Sequence, residues 1–234
     1  MRSAVSWSPE GAGKNRILYP SPFPTFLPGV CEMTAENRRT MIDEDVRTCT
    51  CCPLAATRTY AVPGEGPVPA RILFIGEAPG RTEDAQGRPF VGRAGKILDD
   101  LLAGIGVSRD EVFITNIVKC RPPNNRDPTP AEIEACRPYL EQQIALIRPE
   151  VIVPLGRFAM RWVLESHGVK PGPISAMHGT VVRIRWSGGK RTVVPVYHPA
   201  ATIYRPVMRE ALAADFGTIR EVIGDGFGPD GGTT

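Results

Sequence analysis

The sequence predicts an α/β sandwich around a mostly parallel sheet. Two patterns carry that expectation. Short continuous apolar runs are how strands buried on both faces read, and stretches of helical period lie between them. Their alternation is what βαβ units produce. Ile72-Leu73-Phe74-Ile75 is the first run and stops at Gly76. A helix follows, with Ile97, Leu98, Leu101, Leu102 and Ile105 on one face and Gly106 near its end. Val112 to Val118 reads as the second strand, and Ala131 to Ile147 as the second helix, with Ile133, Leu140, Ile144 and Ile147 on its core side. Val151-Ile152-Val153 is a third strand, running through Gly156 into a helix that carries Phe158, Trp162 and Val163. Val181 to Trp186 and Thr192 to Tyr197 read as two more strands around the turn Ser187-Gly188-Gly189. Pro206 opens a last helix, since proline is favoured at a first helical position. No internal repeat is visible.

A chain of 234 residues is enough for one ordinary domain with some tail. Residues 1–44 stand apart: five prolines fall within the first 28, acidic and basic residues balance, and no period is visible. They read as a disordered N-terminal extension, residues 225–234 as a flexible C-terminal tail, and residues 45–224 as the domain. Met33 and Met41 are later candidates for a translation start. Hydrophobic residues at 42% and charged residues at 23% exclude a wholly disordered chain. No run approaches the roughly 18 apolar residues of a membrane helix, and the first residues lack the apolar core of a secretory signal. The expectation is a cytoplasmic monomer with no membrane partner. A formal charge of +3 permits a polyanionic partner without demanding one. Six cysteines without an export signal point to a reducing compartment, where clustered cysteines bind metal or do chemistry more often than they pair.

In open α/β sheets ligands bind outside the carboxyl ends of the strands. Three segments leave predicted strands there with polar groups: Gly76-Glu77-Ala78-Pro79-Gly80, Thr115-Asn116-Ile117-Val118-Lys119-Cys120, and Tyr197-His198-Pro199-Ala200. Their convergence is the expected site. Cys49 and Cys52 are separated by two residues, and Cys120 and Cys136 by fifteen. Four thiolates suit either a structural zinc or an iron–sulfur cluster, and the spacing alone does not separate the two. Cys31 and Cys51 are expected to be free.

The stretch from Gly76 to Asp84, followed by Gly87-Arg88-Pro89-Phe90-Val91-Gly92-Arg93-Ala94-Gly95, resembles the first motif of the family 4 uracil-DNA glycosylases. Thr115 to Pro123 is similar to their central segment and His198-Pro199-Ala200 to their last motif. Cys49, Cys52, Cys120 and Cys136 fall where that family places its [4Fe–4S] ligands. The resemblance covers about residues 46 to 223, leaving out the N-terminal extension. Family 5 members carry Ala where this chain has Gly80. The covalently attaching family X proteins carry an extra Arg-rich loop after the central motif, and here Arg121-Pro122-Pro123-Asn124-Asn125-Arg126 runs straight on. The resemblance therefore implies a turnover enzyme, with a non-turnover or covalent uracil-DNA binder as the alternative. It also implies a three-layer α/β/α sandwich around a mostly parallel sheet of four to five strands.

For the residues, the resemblance implies that uracil, flipped from single- or double-stranded DNA, meets Gly76, Glu77, Ala78, Phe90, Asn116 and His198. Phe90 offers a face to stack on. The Asn116 amide carries both a donor and an acceptor, matching uracil O4 and N3–H and mismatching cytosine. His198 and backbone N–H groups after Gly76 would stabilise the departing uracil anion. In better-known uracil glycosylases an Asp positions the water where this chain has Ala78, so Glu77 is the candidate, with Glu83 second. Ile203 or Tyr204 would wedge into the gap left by the base. Arg205, Lys119, Arg121 and Arg126 are candidate phosphate contacts. His167 and His178, which no motif surrounds, read as structural.

Overall fold

The computed structural model describes residues 33–186, 189–205 and 207–224. The apolar runs form a five-stranded sheet: β1 (Ile72–Gly76), β2 (Val112–Asn116), β3 (Val151–Pro154), β4 (Val182–Trp186) and β5 (Gly189–Val193), in the order β2-β1-β3-β5-β4. The β1/β2, β1/β3 and β3/β5 pairs are parallel, and only β4 runs antiparallel, at the edge against β5. Val194 and Val196 prolong β5 beside β3 through single bonds, Val194 N–H to Ile152 O (3.0 Å) and Val196 N–H to Pro154 O (3.1 Å). Ser187 and Gly188 of the expected turn lie outside the described residues, as does Pro206.

Helices cover both faces, because successive strand residues point to opposite sides. On one face Ile72 and Phe74 pack with Leu98 and Leu102 of α3 (Arg93–Gly104) and with Leu212, Phe216 and Ile219 of α8 (Met208–Ile223). On the other, Leu73 and Ile75 pack with Leu140 and Ile144 of α4 (Pro130–Ile147) and with Met160 and Val163 of α5 (Gly156–Glu165). A capping box starts α4: the Thr129 hydroxyl accepts from Glu132 N–H (3.3 Å), the Glu132 carboxylate accepts from Thr129 N–H (2.8 Å), and Pro130 fills the first turn. Shorter helices are α2 (Arg81–Gln86), α6 (Ile174–Met177) and α7 (Ala201–Tyr204).

β2 ends at Asn116 rather than Val118, β5 spans Gly189–Val193 rather than Thr192–Tyr197, and the N-terminal boundary of the domain also differs from the sequence expectation. Helix α1 (Ala35–Thr48) begins inside the stretch read as a disordered extension. The Thr34 hydroxyl caps it, accepting from Asn37 N–H (3.2 Å), and α1 packs against α4 with Ile42 and Val46 buried. Arg39 donates to the carbonyl of Gly66 (2.7 Å). A helix so rich in charge shows only a narrow apolar stripe, so its order comes from tertiary contact rather than from a legible period. Residues 1–32 and 225–234 lie outside the described residues.

Candidate active site

Three strand exits meet at one end of the sheet. Gly76 and Asn116 stand side by side at the last pair of β1 and β2. The β2 exit then folds over the β1 exit, with Ile117 N–H on Gly76 O (3.0 Å) and Val118 N–H on Glu77 O (3.2 Å). The strand order reverses beside β1, the place where an α/β sheet opens a crevice. An open cleft of about 320 Å³ lies there, lined by Glu77, Ala78, Phe90, Asn116, Asn125 and His198 among others.

Gly76 is required by close approach. A Cβ there would collide with the Phe90 ring and with the Asn116 side-chain oxygen. Phe90 itself sits at φ 49°, in the left-handed region, a conformation that costs a bulky residue on the order of 1–3 kcal/mol and persists only where neighbours enforce it. Here they do so from both sides. The Arg109 guanidinium donates to the carbonyls of Pro89 (2.6 Å) and Phe90 (3.1 Å) and is held by Asp99 (2.9 Å). The Glu83 carboxylate accepts from Val91 N–H (3.0 Å) and Gly92 N–H (2.8 Å). Glu83 therefore braces the loop through Oε1 while also lining the cleft beside Glu77.

Asn116 is 1% exposed, yet its side-chain oxygen and nitrogen both lack a protein partner. Buried amides are normally satisfied, because leaving one unpaired costs free energy. The Phe90 and His198 rings stack with centroids 5.7 Å apart. His198 Nδ1 accepts from Ala200 N–H (3.1 Å), which leaves the proton of the neutral ring on Nε2. Burial lowers its pKa to about 4, with the charge of Glu83 pulling weakly the other way, so the ring is neutral near pH 7. Gly156, at φ 86°, leaves room for the His198 side chain above it. Glu77 is raised to about 7, first by burial and then by the charge of Asp127, with Arg157 opposing. Arg157 pairs with Asp127 (2.8 Å).

The uracil DNA glycosylase superfamily matches residues 63–216, a span that includes every one of these cleft residues. A type-4 uracil-DNA glycosylase of Archaeoglobus fulgidus is 49% identical over 78% of this chain and 92% of its own. That of Sulfurisphaera tokodaii is 49% identical over 77% of this chain and 83% of its own. The chain belongs to the type-4 branch of the uracil-DNA glycosylase superfamily. The type-5 uracil-DNA glycosylase of Thermus thermophilus is 36% identical, over 58% of this chain.

In this type-4 chain the cysteine quartet lines a second cavity. Cys49 follows α1, Cys52 precedes the turn Pro53–Ala56, Cys120 follows β2 and Cys136 lies in α4; Tyr139 and the exposed Cys51 share the walls. Three N–H donors point at sulfur: Arg58 at Cys120 (3.1 Å), Lys119 N–H at Cys136 (3.2 Å) and Cys51 N–H at Cys49 (3.4 Å). Such donors suit thiolates. Burial chiefly, with Cys120 and Cys49 adding and Lys119 opposing, pushes the Cys136 thiol up to about 12, a penalty that a bound metal centre reverses. Among the described residues no three His, Cys, Asp or Glu side chains are placed to hold a single metal ion. Four thiolate donors with an N–H cradle suit an iron–sulfur cluster, and also a zinc held by four cysteines.

The remaining expected residues divide. Lys119 does not face DNA: it is 1% exposed, and its ammonium is bound by Thr115 Oγ1 (2.6 Å), Gln143 Oε1 (2.6 Å) and Asn116 O (2.9 Å). The phosphate role expected of it is therefore withdrawn. Arg121, on the rim, donates to Asn125 Oδ1 (2.7 Å), and Arg126 makes a two-point pair with Glu132 (2.9 and 2.6 Å). Ile203 is half-buried in α7 and Arg205 is exposed just beyond it; the side chain of Tyr204 lies outside what is described, as does Cys31. His167 Nδ1 lies 2.8 Å from Val163 O, and His178 Nδ1 the same distance from Asp215, the structural settings expected of them. The sequence reading missed Arg109, Asp127 and Gln143. Gly156 was within its reach, because it too leaves a parallel strand at the carboxyl end.

Proposed function

We propose that the protein takes uracil out of DNA and hydrolyses the bond joining it to the sugar, leaving an abasic site for base excision repair. One observation carries this reading: the buried Asn116 carboxamide on the cleft wall has no protein partner for either polar atom. Flipping a base costs a few kcal/mol, least where pairing is already weak. Stacking on Phe90, worth about 1–3 kcal/mol, and the hydrogen bonds to Asn116 offset it. Nδ2–H donates to uracil O4 and Oδ1 accepts from N3–H; cytosine presents the reverse pattern.

As the N1–C1′ bond breaks, its electron pair moves onto the base, largely to O2, and the sugar gains oxocarbenium character. Neutral His198 donates Nε2–H to that oxygen, joined by backbone N–H groups after Gly76, an interaction strongest in the transition state. Glu77, as carboxylate, stabilises the cationic sugar and accepts a proton from the water that adds to C1′. Arg205 and Arg121 contact phosphate, and Ile203 or Tyr204 fills the vacated stack. Cys49, Cys52, Cys120 and Cys136 hold a [4Fe–4S] cluster, whose contribution is structural: it ties the segment after α1 to β2 and α4. The enzyme acts as a monomer in the cytoplasm, where thiols stay reduced.

The deciding experiment is alkaline strand cleavage of a uracil-containing oligonucleotide in excess over protein. Repeated turnover by the wild type and its loss in Asn116→Ala support the proposal. Product limited to one equivalent, with protein attached, would establish a covalent binder instead. Anaerobically purified protein should carry about four irons per chain; stoichiometric zinc without iron would overturn the cluster alone.

A further inference from the structure

The Asn116 carboxamide has no hydrogen bond to hold it, yet reading uracil requires it to stay in place. Its position must be set through its own backbone and packing. The charged group that touches that backbone is the Lys119 ammonium, which donates to the Asn116 carbonyl (2.9 Å). Its other two hydrogens go to Thr115 Oγ1 and Gln143 Oε1, both at 2.6 Å, so every donor is used. These partners are fixed in turn: Thr115 Oγ1–H and Gln143 Nε2–H both donate to Pro63 O, each at 2.8 Å. Gln143 belongs to α4 and Pro63 to the segment before β1, so the network references Asn116 to two elements outside its own strand. The backbone N–H of Lys119 donates to Cys136 Sγ (3.2 Å). The turn from Asn116 to Cys120 is thereby pinned at both ends.

We propose that Lys119 is a positioning residue for uracil recognition, fixing the Asn116 peptide so that the unpartnered carboxamide is presented to the base. This rests on Asn116 reading uracil. A buried ammonium is a costly way to close a turn, and an apolar side chain of similar length would fill the same space. What the ammonium adds is a three-point anchor on Asn116 and its neighbours. A displacement near 1 Å at a reacting site is enough to lower a rate on the order of 100-fold.

The test is a double-mutant cycle on single-turnover uracil excision, using Lys119→Met, Asn116→Ala and the pair, with melting temperature and iron content measured in parallel. If Lys119 acts through Asn116, Lys119→Met lowers the rate about 10- to 100-fold in the wild type and by less than about threefold in Asn116→Ala. Equal factors in both backgrounds would make Lys119 merely structural and overturn the proposal. Thr115→Val, which removes one anchor point, and Thr115→Ser, which keeps it, give a second series. A rate lost in the first and regained in the second supports the proposal; equal rates overturn it. This series decides where Lys119→Met does not fold or the Asn116→Ala rate falls below detection. Failure of the functional reading itself would look different, because the wild type would then release no uracil.

Discussion

Two buried polar side chains three residues apart are treated in opposite ways. Lys119 and Asn116 are each 1% exposed. The lysine has every donor satisfied, while the asparagine has none of its side-chain atoms paired. The same contrast separates the regions around them. In the cysteine cavity N–H groups point at sulfur, and the polar atoms serve the fold. Around the cleft, a carboxyl sits near neutrality, an imidazole is held neutral, and an amide is left open. Unpaired buried atoms also occur away from the cleft, Trp162 Nε1 and Arg191 Nε among them. What singles out Asn116 is that both of its polar atoms are unpaired and that it lines the cleft.

Glu77→Gln gives the largest effect expected of that contrast. Removing a general base or charge stabiliser lowers a rate by roughly 10²–10⁴. The sign of the pH dependence follows from the raised pKa of about 7. The active form is the carboxylate, so the single-turnover rate rises with pH through about 7. In the glutamine variant this limb disappears, whereas His198, at about 4, stays neutral across the range. A wild-type profile flat from pH 5 to 9 would remove Glu77 from the chemistry.

His198→Ala should lower the single-turnover rate by roughly 10²–10³, the usual loss for one oxyanion donor. Affinity for uracil-containing DNA should change little, because phosphate contacts dominate it. Lost binding with an unchanged rate in the bound complex would make His198 a docking residue.

The smallest effects are on stability, and they test the contrast itself. Lys119→Met strands three buried acceptors, each worth about 1–3 kcal/mol when left unmade, partly offset by removal of a buried charge. We expect a net loss of about 3 kcal/mol, seen as a fall of roughly 6–12 °C in melting temperature. Asn116→Ala removes an amide that was already unpaired, so its melting temperature should stay level or rise while excision collapses. A comparable fall in both variants would mean that Asn116 is structurally satisfied after all.

Legibility followed the range of the interactions. The order of the five strands and of α3, α4, α5 and α8 was readable because strand runs and long helical periods are local patterns, whereas the short helices α2, α6 and α7 were not. Asn116 and His198 were readable as polar residues at strand exits, and Phe90 through the resemblance carried by Gly87 to Gly95. Lys119 was misassigned because a lysine in a motif beside an arginine looks like a surface cation, and nothing local reports that Gln143 and Thr115 close over it. The bracing of the Phe90 loop by Glu83 was not legible because its partners, Val91 N–H and Gly92 N–H, are backbone groups that any sequence would offer. Helix α1 was missed because its buried stripe is little more than Ile42 and Val46 among charges.

The sequence by itself determined the α/β alternation, the three polar strand exits, the cysteine quartet and the resemblance that joins them. Periodicity and motif spacing suffice for these, since each is written within a few residues of chain. Only the tertiary structure decided which polar groups are satisfied. The near-neutral carboxyl of Glu77 depends on Asp127 and on burial. The left-handed Phe90 depends on Arg109 reaching back to its loop. The satisfied Lys119 depends on Gln143 from α4. Hydrogen-bond satisfaction and burial are properties of neighbours in space, and those neighbours are set by how helices and strands pack.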